Sequence, residues 1–252
     1  MGRDEALFQY LLRLGDNALV LAQRLGEWTG KAPVIEEDLA TANTALDLIG
    51  QARMWLTYAG DVEGKGRDED KLAFLRDVSD FRNVLLVEQP NGNFADTIAR
   101  QFYFDAWNVR ALGALRGSRD ARIADIAGKS VKEAVYHLER SSDWVVRLGD
   151  GTDESHAKMQ AAIDDLWMYT GELFAADEVD RLMAEAGIGF DPATLQAPWL
   201  EEVERTLDDA TLATPGAGHM QRGGKQGVHT EKLGYLLAEM QFLQRAYPGA
   251  QW

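Results

Sequence analysis

The chain has 252 residues, 46% of them hydrophobic, which is enough for a sizeable core and excludes an unfolded or tail-like chain. It contains no cysteine, which removes disulfides, thiolate zinc sites, iron–sulfur clusters and cysteine nucleophiles, and fits a reducing compartment. With 26 Lys and Arg against 41 Asp and Glu, the formal charge of −15 argues against a nucleic-acid binder, whose affinity for phosphate backbone comes from clustered cations.

The N-terminal stretch MGRDEALFQYLLRLGDNALVL sets acids before its apolar residues, unlike a secretory signal. No apolar run reaches the ~18 residues of a membrane helix, so a cytoplasmic, non-membrane protein is expected. Leu7, Leu11, Leu14, Ala18, Leu21, Leu25 and Trp28 recur at alternating steps of four and three and predict a single-seam first helix stopping at Gly30. A second helix is predicted over 36–59. It carries two seams, one of Leu39, Ala42, Leu46, Ile49 and Leu56, the other of Thr44, Leu48, Gln51, Trp55 and Tyr58, which implies two helical neighbours.

After GDVEGKGRDED comes a less regular segment, LAFLRDVSDFRNVLLVEQ, read as a short helix and a turn. A third long helix is predicted over 94–116. A fourth, over 119–148, has the seam Ile123, Ala127, Ser130, Ala134, His137, Ser141, Trp144 and Leu148. Thr152 and Asp153 supply capping side chains for a fifth helix reaching Leu173. Shorter helices follow at 177–187 and 192–212, TPGAGHMQRGGKQG reads as a loop, and a last helix ends at Pro248 and Gly249. Four long helices with accessory ones in one domain, 1–252, make an all-α bundle.

Chemistry in such bundles is most often a carboxylate-bridged metal pair, which needs Glu-x-x-His pairs so that both side chains share one helical face. The residues three before the four histidines are Ala134 for His137, Asp153 for His156, Gly216 for His219 and Gln226 for His229. Only Asp153 is a carboxylate, and at a helix start it reads as a cap. Glu133 is turned about 100° away from the place of Ala134. His137 therefore reads as a core histidine satisfied by hydrogen bonds. Asp47, Arg53 and Asp105 lie within otherwise apolar helices and, with His137, are expected to form a buried polar network, since unpaired burial costs several kcal/mol. The Gly-Gly-Lys-Gln-Gly run at 223–227 resembles a phosphate loop only weakly. Trp28, Trp55, Trp107 and Trp144 read as core.

The segments LGDNALVLAQRLGEW, LDLIGQAR, LLVEQPNGNFADTIARQ, KEAVYHLERS, GGKQGVHTE and LAEMQFLQR resemble, over essentially the whole chain, the structural C subunits of the bacterial phenylacetyl-CoA epoxidases. The resemblance implies a ferritin-like four-helix bundle core with additional shorter helices, distantly related to the catalytic A subunit that carries a di-iron site. Beside that subunit's D-E-x-G-H pattern, this chain reads Asp47-Leu48-Ile49-Gly50-Gln51. Beside its second E-x-x-H pattern it reads Ala134-Val135-Tyr136-His137. Leu48, Gln51 and Ala134 thus replace three of the four motif ligands, and His137 alone remains.

The resemblance implies a non-catalytic subunit of a monooxygenase complex. Such a chain binds no cofactor itself, docks beside the di-iron A subunit and helps shape the cleft for phenylacetyl-CoA. The polyanionic CoA tail calls for local basic exceptions, and the candidates are Arg82, Asn83, Arg222 and Lys225. Two alternatives stand beside this reading: an independently metal-binding di-metal oxidase using Asp47, Asp105 and His137, and a self-assembling bundle whose acids store cations.

Overall fold

Several helix starts in this chain are set by short polar side chains that accept the free N–H groups of a first turn, while the first two helices open on Gly2 and Val34 with no side-chain cap. In the computed structural model, which describes residues 1–250, Asn93 accepts from the Ala95 N–H at 2.8 Å while Asp96 accepts from the Asn93 N–H at 2.7 Å, a reciprocal cap that starts a helix at Phe94. Asp120 opens the next helix by accepting from Arg122 and Ile123, and Thr152 the one after by accepting from Ser155. The cap there is thus Thr152 and not Asp153, and His156 bonds the Gly149 carbonyl at 2.7 Å.

Four helices of 22 to 29 residues result: α1 (Arg3–Gly26), α2 (Ile35–Glu63), α4 (Phe94–Leu115) and α5 (Ala121–Gly149). Six shorter ones are α3 (Glu69–Phe74), α6 (Asp153–Trp167), α7 (Glu178–Glu185), α8 (Gln196–Asp209), α9 (Glu231–Met240) and α10 (Phe242–Ala246). No strand occurs among the described residues, and the fold is all-α, as a ferritin-like chain requires. No helix is long and apolar enough to cross a membrane.

The contacts divide the chain into two compact units. The first comprises Met1–Pro90 and the segment from Gly223 onward. Its frame is the antiparallel pair α1 and α2, which approach closely where Gly15 has no side chain: a Cβ there would lie 2.7 Å from a Leu56 methyl. The single seam expected for α1 is too narrow a description. From Tyr10 to Leu25 almost every face is buried, including Arg13, Asp16, Asn17 and Arg24. The buried charge is matched locally, since Asp16 pairs bidentately with Arg76, and Arg76 lies 4.3 Å over the Phe81 ring.

The first predicted seam of α2 divides: Leu56 is buried against α1, but Leu39, Leu46 and Ile49 are 60%, 64% and 41% exposed and, with Ile35 at 71%, form a stripe that the described residues leave uncovered, whereas Thr44, Leu48, Gln51 and Trp55 on the other seam are buried. The predicted last helix is broken in two at Gln241, whose buried amide donates to the Ala73 and Arg76 carbonyls at 3.0 Å each.

The second unit, Asn91–Arg222, is built on α4 and α5, which run antiparallel. Along α5 the predicted seam holds: Ile123, Ala127, Ser130, Ala134, His137 and Ser141 are buried, and their small size lets the helices sit close. α6 ends at Trp167 rather than Leu173, because the Thr170 hydroxyl bonds the Trp167 carbonyl at 2.9 Å and the chain tightens into a 3₁₀ turn over Thr170–Phe174. Tyr103 of α4, Trp167, Phe174 and Trp199 of α8 form an aromatic cluster with ring centroids 5.1–5.7 Å apart.

Candidate functional site

The positions that would have to ligate metal are inside the protein, and their chemistry is wrong for it. On α2, Leu48 is fully buried and offers no donor atom, and Gln51 is buried beside it on the same helix. On α5, Ala134 and His137 are both buried. An imidazole with an alanine three residues before it lacks the carboxylate of the E-x-x-H pair. These residues do not fit an iron pair. Among the described residues, no group of three or more His, Asp or Glu side chains is gathered so that it could hold a metal ion.

Asp105 of α4 shows how the second unit uses an interior carboxylate instead. It is fully buried, Gln101 donates to its Oδ1 at 2.7 Å, and the Ser141 hydroxyl donates to its Oδ2 at 2.9 Å. Burial pushes the Asp105 pKa up to about 6, while the charge of His137 and the hydrogen bonds from Ser141 and Gln101 pull the other way. Asp105 and His137 are both buried, and the hydrogen bonds to Asp105 come from Gln101 and Ser141. Arg53 lies outside that interior: it projects from α2 on the same exposed stripe as Ile35 and Leu46 and bonds Glu69 at 3.3 Å at the surface. Asp47 is half-buried.

A second interior network, in the first unit, has no counterpart in the sequence patterns. Glu88 is fully buried. Its Oε2 accepts from His229 Nδ1 at 2.8 Å and from Asn83 Nδ2 at 3.0 Å, and its Oε1 accepts from the Thr230 N–H at 2.7 Å. His229 Nε2 faces the Phe81 carbonyl at 3.0 Å, so that nitrogen carries its proton. With a carboxylate on the other side, both ring nitrogens face acceptors, an arrangement that favours the imidazolium. Burial opposes the charge, but the bond and charge of Glu88 and the bond to Phe81 outweigh it and hold the His229 pKa above its ordinary value. Two glycines let the segment lie flat there: a Cβ on Gly224 would stand 2.1 Å from the Asn83 carbonyl, and Gly227 has φ +80°.

The four basic-patch candidates separate accordingly. Asn83 is fully buried within the Glu88 network, and Lys225 is buried, so neither projects toward solvent as a channel residue would. Arg82 is half-buried, with its guanidinium donating to Gln9 and to the Ser79 and Phe81 carbonyls. Burial lowers its pKa, and Asp16 opposes that shift. Arg222 is exposed, and it lines a cavity of about 210 Å³ walled by Trp167, Phe174 and Trp199. A larger groove of about 480 Å³ runs beside α9, and Arg245 there is already paired with Asp77 at 3.0 Å.

The sequence matches the model of the family described as phenylacetic acid catabolic protein over residues 1–252. The chain belongs to that family. A curated relative, the C subunit of 1,2-phenylacetyl-CoA epoxidase of Escherichia coli (strain K12), is 58% identical over 246 residues, covering 98% of this chain and 99% of the relative. The match to the phenylacetic acid catabolic proteins thus runs over the whole length of the chain.

Proposed function

We propose that this chain is the non-catalytic C subunit of a cytoplasmic 1,2-phenylacetyl-CoA epoxidase in aerobic phenylacetate catabolism. It pairs with and stabilises a separate di-iron A subunit and binds no metal of its own. The division of labour is supported by the near full-length similarity to a C subunit and by the three replaced motif residues. The observation that carries the pairing is the stripe on α2. Ile35, Leu39, Leu46 and Ile49 fall within one narrow arc of the helix and run for roughly 21 Å along it at 1.5 Å per residue. Contiguous exposed aliphatic side chains of this kind mark a protein interface, and an obligate one buries ~2,000 Å² or more with an apolar centre. An A subunit laid along this stripe would cover it. Arg222 is the residue of the four best placed to meet a phosphate of the CoA tail, because it alone is exposed.

The test is co-expression with the catalytic subunit of the same organism. The wild-type chain is expected to co-elute with that partner, with the iron following the partner, and the double variant Leu39→Asp/Leu46→Asp is expected to elute alone while remaining folded. Retention of about two irons by the isolated chain after chelation would sink the reading. So would full pairing by the double variant.

A further inference from the structure

We infer that the cavity walled by Trp167, Phe174 and Trp199 in the second unit is a binding site for a monocyclic aromatic carboxylate. None of the residues invoked for subunit pairing takes part in it, and it stands or falls apart from that pairing.

Three observations carry it. First, the walls are rigid and aromatic. Trp199 lies 5.1 Å from Phe174 and 5.7 Å from Trp167, and its Nε1 donates to the Tyr103 carbonyl at 3.0 Å. Met220 closes a further side. Its backbone is fixed next door, where the Gln221 N–H donates to the Met168 carbonyl at 2.8 Å, and its side chain occupies the room left by Gly171, where a Cβ would meet it at 2.7 Å. Walls already ordered need little further ordering on binding, and ring faces and edges favour a planar ring over a puckered one.

Second, the size is right for one ring. A cavity of about 150 Å³ accommodates benzene, so about 210 Å³ leaves space for a short polar arm. Third, the cavity carries a cation with nothing opposite it. Arg222 makes no hydrogen bond or ion pair with any described residue, although the chain has a net charge of −15, whereas exposed arginines such as Arg53, Arg205 and Arg245 each have a carboxylate. The planar guanidinium fork matches a carboxylate in bidentate geometry.

The experiment is calorimetric titration of the purified full chain with three probes: phenylacetate, its neutral isostere phenylacetamide, and the puckered analogue cyclohexylacetate. Phenylacetate should bind saturably, and each of the other two at least about tenfold more weakly. Arg222→Gln, at an exposed position, should keep the thermal midpoint and erase the preference for phenylacetate over phenylacetamide. Ala175→Leu, which fills the cavity, should abolish binding of all three. If the Leu variant fails to fold, the Gln variant still decides. Absence of saturable phenylacetate binding at about 10 mM, equal affinity for acid and amide in the wild type, or unchanged phenylacetate affinity in Arg222→Gln would each overturn the assignment.

Discussion

The His229 imidazole donates to the buried Glu88 carboxylate across 2.8 Å, joining residues 141 positions apart in the chain. Both side chains are fully shielded from water. Removing the imidazole leaves a buried carboxylate with only Asn83 and the Thr230 N–H as partners, and breaking such a pair costs about 3–5 kcal/mol. His229→Ala should lower the free energy of urea unfolding by an amount of that order. Amide exchange should quicken first at residues 223–230.

The same pair sets a pH dependence. The His229 pKa is raised in the folded chain, so the stabilisation is complete below about pH 6.5 and is lost as pH rises through the higher folded value. Stability measured by urea titration should therefore fall on the alkaline side of pH 6.5 in the wild type. A flat profile across that window is expected for His229→Gln.

Asp105 acts in a lower window. With a pKa raised to about 6, its neutral form is favoured in the fold, and the cost of ionising it appears as pH climbs from about 4 through 6. Asp105→Asn keeps an acceptor for Gln101, and Ser141 already has the Leu138 carbonyl at 3.3 Å as a second acceptor for its proton. The variant should be more stable than wild type at pH 7 by on the order of 1–3 kcal/mol, and no more stable at pH 4.

The α2 stripe separates docking from folding. Leu39 and Leu46 are mostly exposed, so their replacement by Asp should change the stability of the isolated chain by no more than about 0.5 kcal/mol each. Loss of partner binding with an unchanged unfolding midpoint is the expected combination. A large drop in midpoint would mean that the stripe is covered within the chain.

Gly224→Ala should behave in the opposite way. The added carbon would stand 2.1 Å from a backbone oxygen that has no freedom to retreat, and a loss of more than about 2 kcal/mol is expected by thermal or urea unfolding.

What can be read from the sequence follows the range of the interactions involved. The start of α4 is legible because its cap is local: Asn93 and Asp96 lie three residues apart. The α5 seam is legible because burial repeats with the helical period. The break at Gln241 is not, because it is imposed by carbonyls 165 and 168 residues away. The exposure of Arg53 is hidden for a related reason. A charge amid aliphatic residues implies burial only if the aliphatic stripe faces the chain's own core, and this one faces outward. The missing carboxylate at Ala134 can be found by spacing alone, three residues before His137, whereas Leu48 and Gln51 stand out only beside the pattern of the related catalytic subunit. Glu88 and His229 cannot, since nothing local distinguishes them from other acids and histidines.

The discontinuity of the first unit has a consequence for synthesis. Glu88 leaves the ribosome well before His229 does, and at roughly 5–20 residues per second the interval is on the order of ten seconds. During that time α1 and α2 are complete, yet the carboxylate meant for the interior has no imidazole to meet. The first unit therefore lacks this pair until the whole of Asn91–Arg222 has been made. The segment from Gly223 onward completes a unit begun by the first ninety residues, so a chain that stops short of His229 leaves Glu88 without its imidazole.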